Sequence, residues 1–142
     1  MREVKRSALV NKSPAELFAL INDIESYPQF VPWCTQARVL SRTEAEILAT
    51  LTVHQGALRG EFTTRNTLVP DTSVHMQLVS GPFRTLEGQW LLSPLAAAGC
   101  RVELAMRFEF KSRLTGVLFE SLFERTLGSL IDAFVQRARE SA

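Results

Sequence analysis

The sequence predicts an α+β fold in which a seven-stranded antiparallel sheet wraps a long C-terminal helix, with one or two short helices after the first strand. Three observations carry this. The stretch from Lys111 to the C-terminus has no proline and a helical repeat of apolar residues. Most of the chain before it breaks into short alternating segments at turn residues. The last of those segments has one dry face and one charged face, so one side of the sheet needs a cover.

In the C-terminal segment, Phe119, Leu122, Phe123, Leu127, Leu130, Ile131, Phe134, Val135 and Ala138 share one face. Ser121, Arg125, Gly128, Ser129, Asp132, Gln136 and Arg139 form the opposite stripe. Ser112 fits an N-cap, and Arg137 and Arg139 suit the negative end of the helix dipole. The predicted helix, Arg113 to Glu140, spans about 40 Å at ~1.5 Å per residue. Gly116 and Gly128 mark places where it can bend or approach another segment closely.

Taken from the start, Glu3 to Val10 alternates as a strand. Asn11-Lys12-Ser13-Pro14 is a turn, with Ser13 as N-cap and Pro14 in the first turn of a helix running to Ile24. That helix presents Leu17, Phe18, Leu20, Ile21 and Ile24 to the core. Ser26 to Cys34 carries Pro28 and Pro32 among large apolar side chains, which forbids a normal helix. It reads as a plug at one end of the core or as a wall of a ligand cavity.

Strands are predicted at Thr35–Arg42, Ala45–His54, Arg59–Val69, Ser73–Ser80, Thr85–Ser93 and Arg101–Phe110. In the last, Val102, Leu104, Met106, Phe108 and Phe110 face the dry side. Two helices do not cover such a sheet completely. The space between sheet and long helix is either filled by side chains or left as a cavity.

The chain has 142 residues, 46% of them hydrophobic, with a formal net charge of +1. It is expected to form one domain, residues 1–142, with a sizeable core. The near-neutral charge argues against a dedicated nucleic-acid binder, and DNA is not an expected partner. Cys34 and Cys100 match no metal spacing and are expected as free, buried thiols in a reducing setting. The N-terminal stretch lacks the apolar core of a secretory leader, and no apolar run is long enough to span a bilayer.

No catalytic constellation emerges. His54 and His75 sit on the wet face of strands without a partner at ligand spacing, so no metal site is expected. Neither cysteine has a base nearby in sequence. There is no phosphate-binding glycine loop. More informative are Thr64 and Asn66, which share the dry face with Phe62 and Leu68, while Arg65 points away. Polar groups there fit either a strand end at the rim or anchors inside an apolar pocket. Thr126 interrupts the apolar face of the long helix, and its hydroxyl can bond its own backbone or a ligand.

Ser-Tyr-Pro-Gln-Phe-Val-Pro-Trp-Cys at 26–34 and Phe-Thr-Thr-Arg-Asn at 62–66 form part of a wider pattern. It continues with Gly-Pro-Phe at 81–83, Leu86-Glu87-Gly88-Gln89-Trp90, and Cys100-Arg101-Val102-Glu103 running into Phe108-Glu109-Phe110. In order and spacing these resemble the RatA and coenzyme Q-binding branch of the polyketide cyclase/dehydrase family, which is START-like and Bet v 1-like. The match is closest to the bacterial RatA type, from which Trp33 departs.

The resemblance implies a helix-grip fold around a hydrophobic cavity. The branch's quinone-binding members hold an isoprenoid quinone there and support cellular respiration. Its RatA members are described as toxins that bind the large ribosomal subunit and block subunit association. For this chain the first expectation is therefore non-catalytic binding of a lipophilic molecule, with ubiquinone or a similar quinone as ligand and no required cofactor. The alternative is ribosome binding, with the large ribosomal subunit and a small antitoxin protein as partners. Basic candidates for that surface are Arg2, Lys5, Arg6, Arg59, Arg65, Arg137 and Arg139. The expected cavity residues are Tyr27, Phe30, Trp33, Phe62, Thr64, Asn66, Met76, Trp90, Phe108, Leu122, Phe123, Thr126 and Leu130. The expected location is cytoplasmic, with at most peripheral contact at the inner membrane.

Overall fold

The computed structural model describes residues 2–56, 58–96, 99–111 and 113–140, with side chains in the last segment from Phe119 onward. Seven strands form one antiparallel sheet: β1 (Arg2–Val10), β2 (Cys34–Arg42), β3 (Glu46–Gln55), β4 (Leu58–Val69), β5 (Ser73–Ser80), β6 (Phe83–Pro94) and β7 (Cys100–Phe110). Their spatial order is β1-β7-β6-β5-β4-β3-β2. From β2 to β7 this is a meander of sequence neighbours, as short connections favour. The exception is β1, which pairs with β7 from Arg2 against Phe108 to Val10 against Cys100. Among the described residues there are also two α-helices, α1 (Pro14–Asn22) and α2 (Arg113–Glu140).

Helix α1 starts at a capping box. The Glu16 amide donates to the Ser13 hydroxyl, and the Glu16 carboxylate accepts from the Ser13 amide. Beyond α1, the expected continuation to Ile24 ends two residues early, and Ile24–Gln29 forms a short 3-10 helix. It is the second of the one or two short helices expected after the first strand. Its tighter turn tolerates Pro28 because few of its amides are needed for internal bonds. Leu17, Ile21 and Ile24 are buried, whereas Phe18 and Leu20 are half-buried.

Helix α2 lies across the concave face. Its buried apolar positions, Phe123, Leu127, Leu130, Ile131, Phe134, Val135 and Ala138, follow the i, i+3, i+4 pattern, with Thr126 buried among them. Each large side chain so buried contributes about 1.5–3 kcal/mol. Gly128 is not required for close approach: a Cβ there would lie 3.5 Å from Nε of Arg6 on β1, an ordinary van der Waals contact. Arg2 on the same strand donates to Glu124 at 2.6 Å. Ser112, the expected cap of α2, and the surroundings of Gly116 lie outside the described residues.

The convex face is charged and paired across strands. Arg107 meets Glu3 at 3.3 Å, Arg65 meets Glu46 at 2.6 Å, and Arg38 meets Glu61 at 3.7 Å. Arg65 therefore points outward as simple alternation requires, although β4 shifts register against β5 between Thr63 and Thr64. Both histidines lie on this side. His75 has Glu87 at 3.5 Å across the strand pair, a partner that sequence spacing did not reveal.

Candidate functional site

Between the concave face of the sheet and α2 lies an apolar cavity of about 60 Å³. The sheet supplies Ala49 and Leu51 from β3, Phe62, Thr64 and Asn66 from β4, Met76 from β5, Trp90 from β6 and Met106 from β7. The helix supplies Phe123, Leu127 and Leu130, and the segment between α1 and β2 supplies Ile24, Tyr27 and Trp33. Small side chains make the room. Ala49 stands between Ile47 and Leu51, and Gly88 faces Met106 in the strand pairing.

Of the expected cavity residues, Tyr27, Trp33, Phe62, Thr64, Asn66, Met76, Trp90, Phe123 and Leu130 line this space. Four do not. Phe108 is 0% exposed but packs among Phe83, Phe110 and Phe123, whose rings fill the space on its side. Its neighbour on the same strand face, Met106, takes the cavity position. Phe30 lies on the far side of Tyr27, edge-on to Phe134 at 5.1 Å, with the Arg137 guanidinium 5.1 Å above its ring. Leu122 is one helical step too far round and lies 4.0 Å from where a Cβ on Gly56 would be. The Thr126 hydroxyl donates to the Leu122 carbonyl at 3.0 Å, so its backbone satisfies it.

The residues that sequence reasoning missed are Ile24, Ala49, Leu51, Met106 and Leu127. Alternation already placed Met106 on the dry face. Alanine among larger inward residues of β3 was the available signal for Ala49.

Polar groups in the cavity are few. The Thr64 hydroxyl donates to Asn66 Oδ1 at 2.8 Å, which leaves the two N–H bonds of that carboxamide for another partner. Both residues are buried, so the strand-rim reading of this pair is replaced by polar groups inside an apolar pocket. The Tyr27 hydroxyl donates to the Ile21 carbonyl, tying the 3-10 helix to α1. Burial pushes its phenol well above the ordinary range, so it remains protonated. Trp33 is 3% exposed, and its Nε1 has no hydrogen-bond partner.

Cys34 and Cys100 are free and buried. Burial pushes the Cys34 thiol up to about 11 and raises Cys100 as well, the reverse of what a nucleophile needs. Among the described residues, no three His, Cys, Asp or Glu side chains are grouped to hold a metal ion. No described helix is long and apolar enough to cross a membrane.

A sheet gripping one long helix over an apolar cavity defines a START-like fold. The Zhui aromatase/cyclase of Streptomyces sp. R1128 has the same fold, with a TM-score of 0.87 over 97% of this chain and 93% of that one, at 16% identity. A family model described as polyketide cyclase / dehydrase and lipid transport matches residues 10–135, and the chain belongs to that family. It is 41% identical over 140 residues to a Vibrio cholerae protein named ribosome association toxin RatA, covering 99% of this chain and 97% of the relative. It is 29% identical over 145 residues to the mitochondrial coenzyme Q-binding protein of Schizosaccharomyces pombe, covering 95% and 85%. These two relatives carry the names of a toxin and of a binding protein, although the family description also includes cyclase and dehydrase.

Proposed function

We propose that this protein acts by binding rather than by catalysis, and that the cavity under α2 takes the apolar part of a lipophilic small molecule, with an isoprenoid quinone as the leading ligand. The observation that carries this reading is the lining itself: apolar and aromatic side chains around a single Thr64–Asn66 polar pair. The name of the Schizosaccharomyces pombe relative supports the choice of ligand. The driving force is desolvation, about 25 cal/mol per Å² of apolar area before ordering costs.

The volume sets a condition. Small-molecule pockets run to roughly 300–1,000 Å³, against about 60 Å³ here. Quinone entry therefore requires the cavity to expand, by rotation of Met76 and Met106 or by movement of α2 away from the sheet. Methionine side chains suit this role because they repack at low cost. Lipid extraction and mass spectrometry of protein purified from a quinone-producing host tests the reading. A co-purifying quinone is expected; its absence, together with no binding on titration, rejects it.

The name of the Vibrio cholerae relative favours a second reading, association with the ribosome, which we place at the large subunit. It is compatible with the first, because it uses the surface rather than the cavity. Several of its basic candidates are already engaged: Arg2 with Glu124, Arg65 with Glu46, and Arg137 with Gln29. Arg6 is turned toward α2 and donates to the Lys5 carbonyl, whereas Lys5 points to the opposite face; exposed Lys5 on β1 and Arg59 on β4 are better placed to meet a phosphate backbone. Sucrose-gradient profiles with the protein overexpressed decide it: free subunits should rise at the expense of assembled ribosomes, and an unchanged profile rejects it. An antitoxin partner, if the ribosome reading holds, is to be sought by co-purification.

A further inference from the structure

Trp33, on the wall of the cavity, carries a buried donor that the fold itself does not use. Trp33 lines the cavity, is 3% exposed, and has its Nε1 buried without a hydrogen-bond partner. Buried indole N–H groups normally find an acceptor, and leaving one unmade costs on the order of 1–3 kcal/mol. The rest of Trp33 is well fixed. Its carbonyl accepts from the His54 amide at 2.8 Å, and the next residue, Cys34, opens β2 against Val53. The ring is thus anchored by its backbone while its polar edge is unsatisfied. Phenylalanine would fill much of the same space without that cost, so packing alone does not account for an indole.

We propose that Nε1 of Trp33 is the donor that selects a carbonyl oxygen on the bound molecule. Resting on the cavity reading above, this narrows the ligand class to lipophilic ketones and quinones, as opposed to plain hydrocarbons or fatty acyl chains. The carbonyl satisfies the orphaned N–H, so the ligand removes a penalty that the empty protein carries. A hydrocarbon of the same size gains the desolvation but leaves the donor unmade.

Wild type and Trp33→Phe are titrated with a short-chain ubiquinone and with the matching isoprenoid hydrocarbon that lacks the quinone ring. The indole signals of the two tryptophans are followed by 1H–15N NMR and assigned with the variant. For the quinone, Trp33→Phe should bind about tenfold more weakly, the worth of one neutral hydrogen bond. The hydrocarbon should bind both proteins alike. In wild type, the Trp33 indole proton should move downfield with the quinone and not with the hydrocarbon. That last measurement needs no variant and stands even if Trp33→Phe folds poorly. Equal quinone affinity in both proteins, or an indole signal indifferent to the quinone, overturns the role of Trp33 while leaving the cavity reading intact. A loss of both ligands to the same degree makes Trp33 a packing residue and also overturns it. Failure of wild type to bind either ligand overturns the cavity reading, and this one with it.

Discussion

Gly88 lies directly beneath the thioether of Met106: a Cβ built on Gly88 would stand 1.9 Å from Sδ and 2.9 Å from Cε. The two residues face each other across β6 and β7, and Met106 lines the cavity. The missing side chain at position 88 is what lets Met106 lie flat against the sheet. Gly88→Ala should push the thioether into the cavity, with an overpacking cost of about 1–3 kcal/mol and a loss of ligand capture. The double variant Gly88→Ala/Met106→Ala should recover binding. Ligand titration beside thermal melts checks this, and unchanged binding by Gly88→Ala would show that Met106 does not control the space.

The Thr64–Asn66 pair gives a separate test of polarity inside the cavity. Thr64→Val leaves Asn66 Oδ1 without its donor, and Asn66→Leu leaves the Thr64 hydroxyl without its acceptor. Each single change should cost about 1–3 kcal/mol, and the double change should cost less than their sum. Urea denaturation of the four proteins measures the coupling. Strict additivity would mean that the 2.8 Å bond contributes nothing.

Neighbouring leucines on α2 should behave differently. Leu130 is buried and lines the cavity; Leu122 is half-buried and faces the β3–β4 hairpin. Leu130→Ala should destabilise by about 2–5 kcal/mol and change ligand affinity. Leu122→Ala should cost less and leave affinity unchanged. The same ligand response in both variants would place the site elsewhere along the helix.

The buried thiols predict a pH response. The Cys34 thiol stands at about 11 against an ordinary 9.0, because burial disfavours the thiolate. Its contribution to stability is complete below pH 9.0 and is lost as pH rises toward about 11. Native protein should therefore react slowly with Ellman's reagent at pH 8, and both thiols should react fast once denaturant is added. Rapid reaction of the folded protein would contradict the burial of both thiols.

Much of the architecture was legible because strand alternation and helical periodicity are local signals. The dry face of β7 and the apolar stripe of α2 are both written in residue order. The Ser13 cap was readable for the same reason. Two things were not. A second short helix after the first strand was expected, but its 3-10 type and its bounds at Ile24–Gln29 were hidden by Pro28, a residue that ends α-helices yet fits a shorter turn. The boundary of the cavity was hidden because alternation tells which face a side chain takes, not what stands opposite it. Phe108 and Met106 share a face two residues apart, yet one is enclosed by phenylalanines and the other borders empty space. That difference depends on the register that sets Gly88 against Met106. Thr126 was ambiguous for a related reason, since only the folded helix shows its hydroxyl on the Leu122 carbonyl.

On the proposed function, the ligand enters the space between the sheet and α2. The chain contains two tryptophans, Trp33 and Trp90, and both line that space. Intrinsic fluorescence under titration with a short-chain ubiquinone is therefore the most direct measurement. Quinones quench excited indoles at contact, so occupancy of the cavity should remove most of the emission, saturably and at one ligand per chain. Emission that stays unquenched while the quinone is shown by equilibrium dialysis to bind, or the absence of any saturable binding, would mean that the ligand does not enter this cavity.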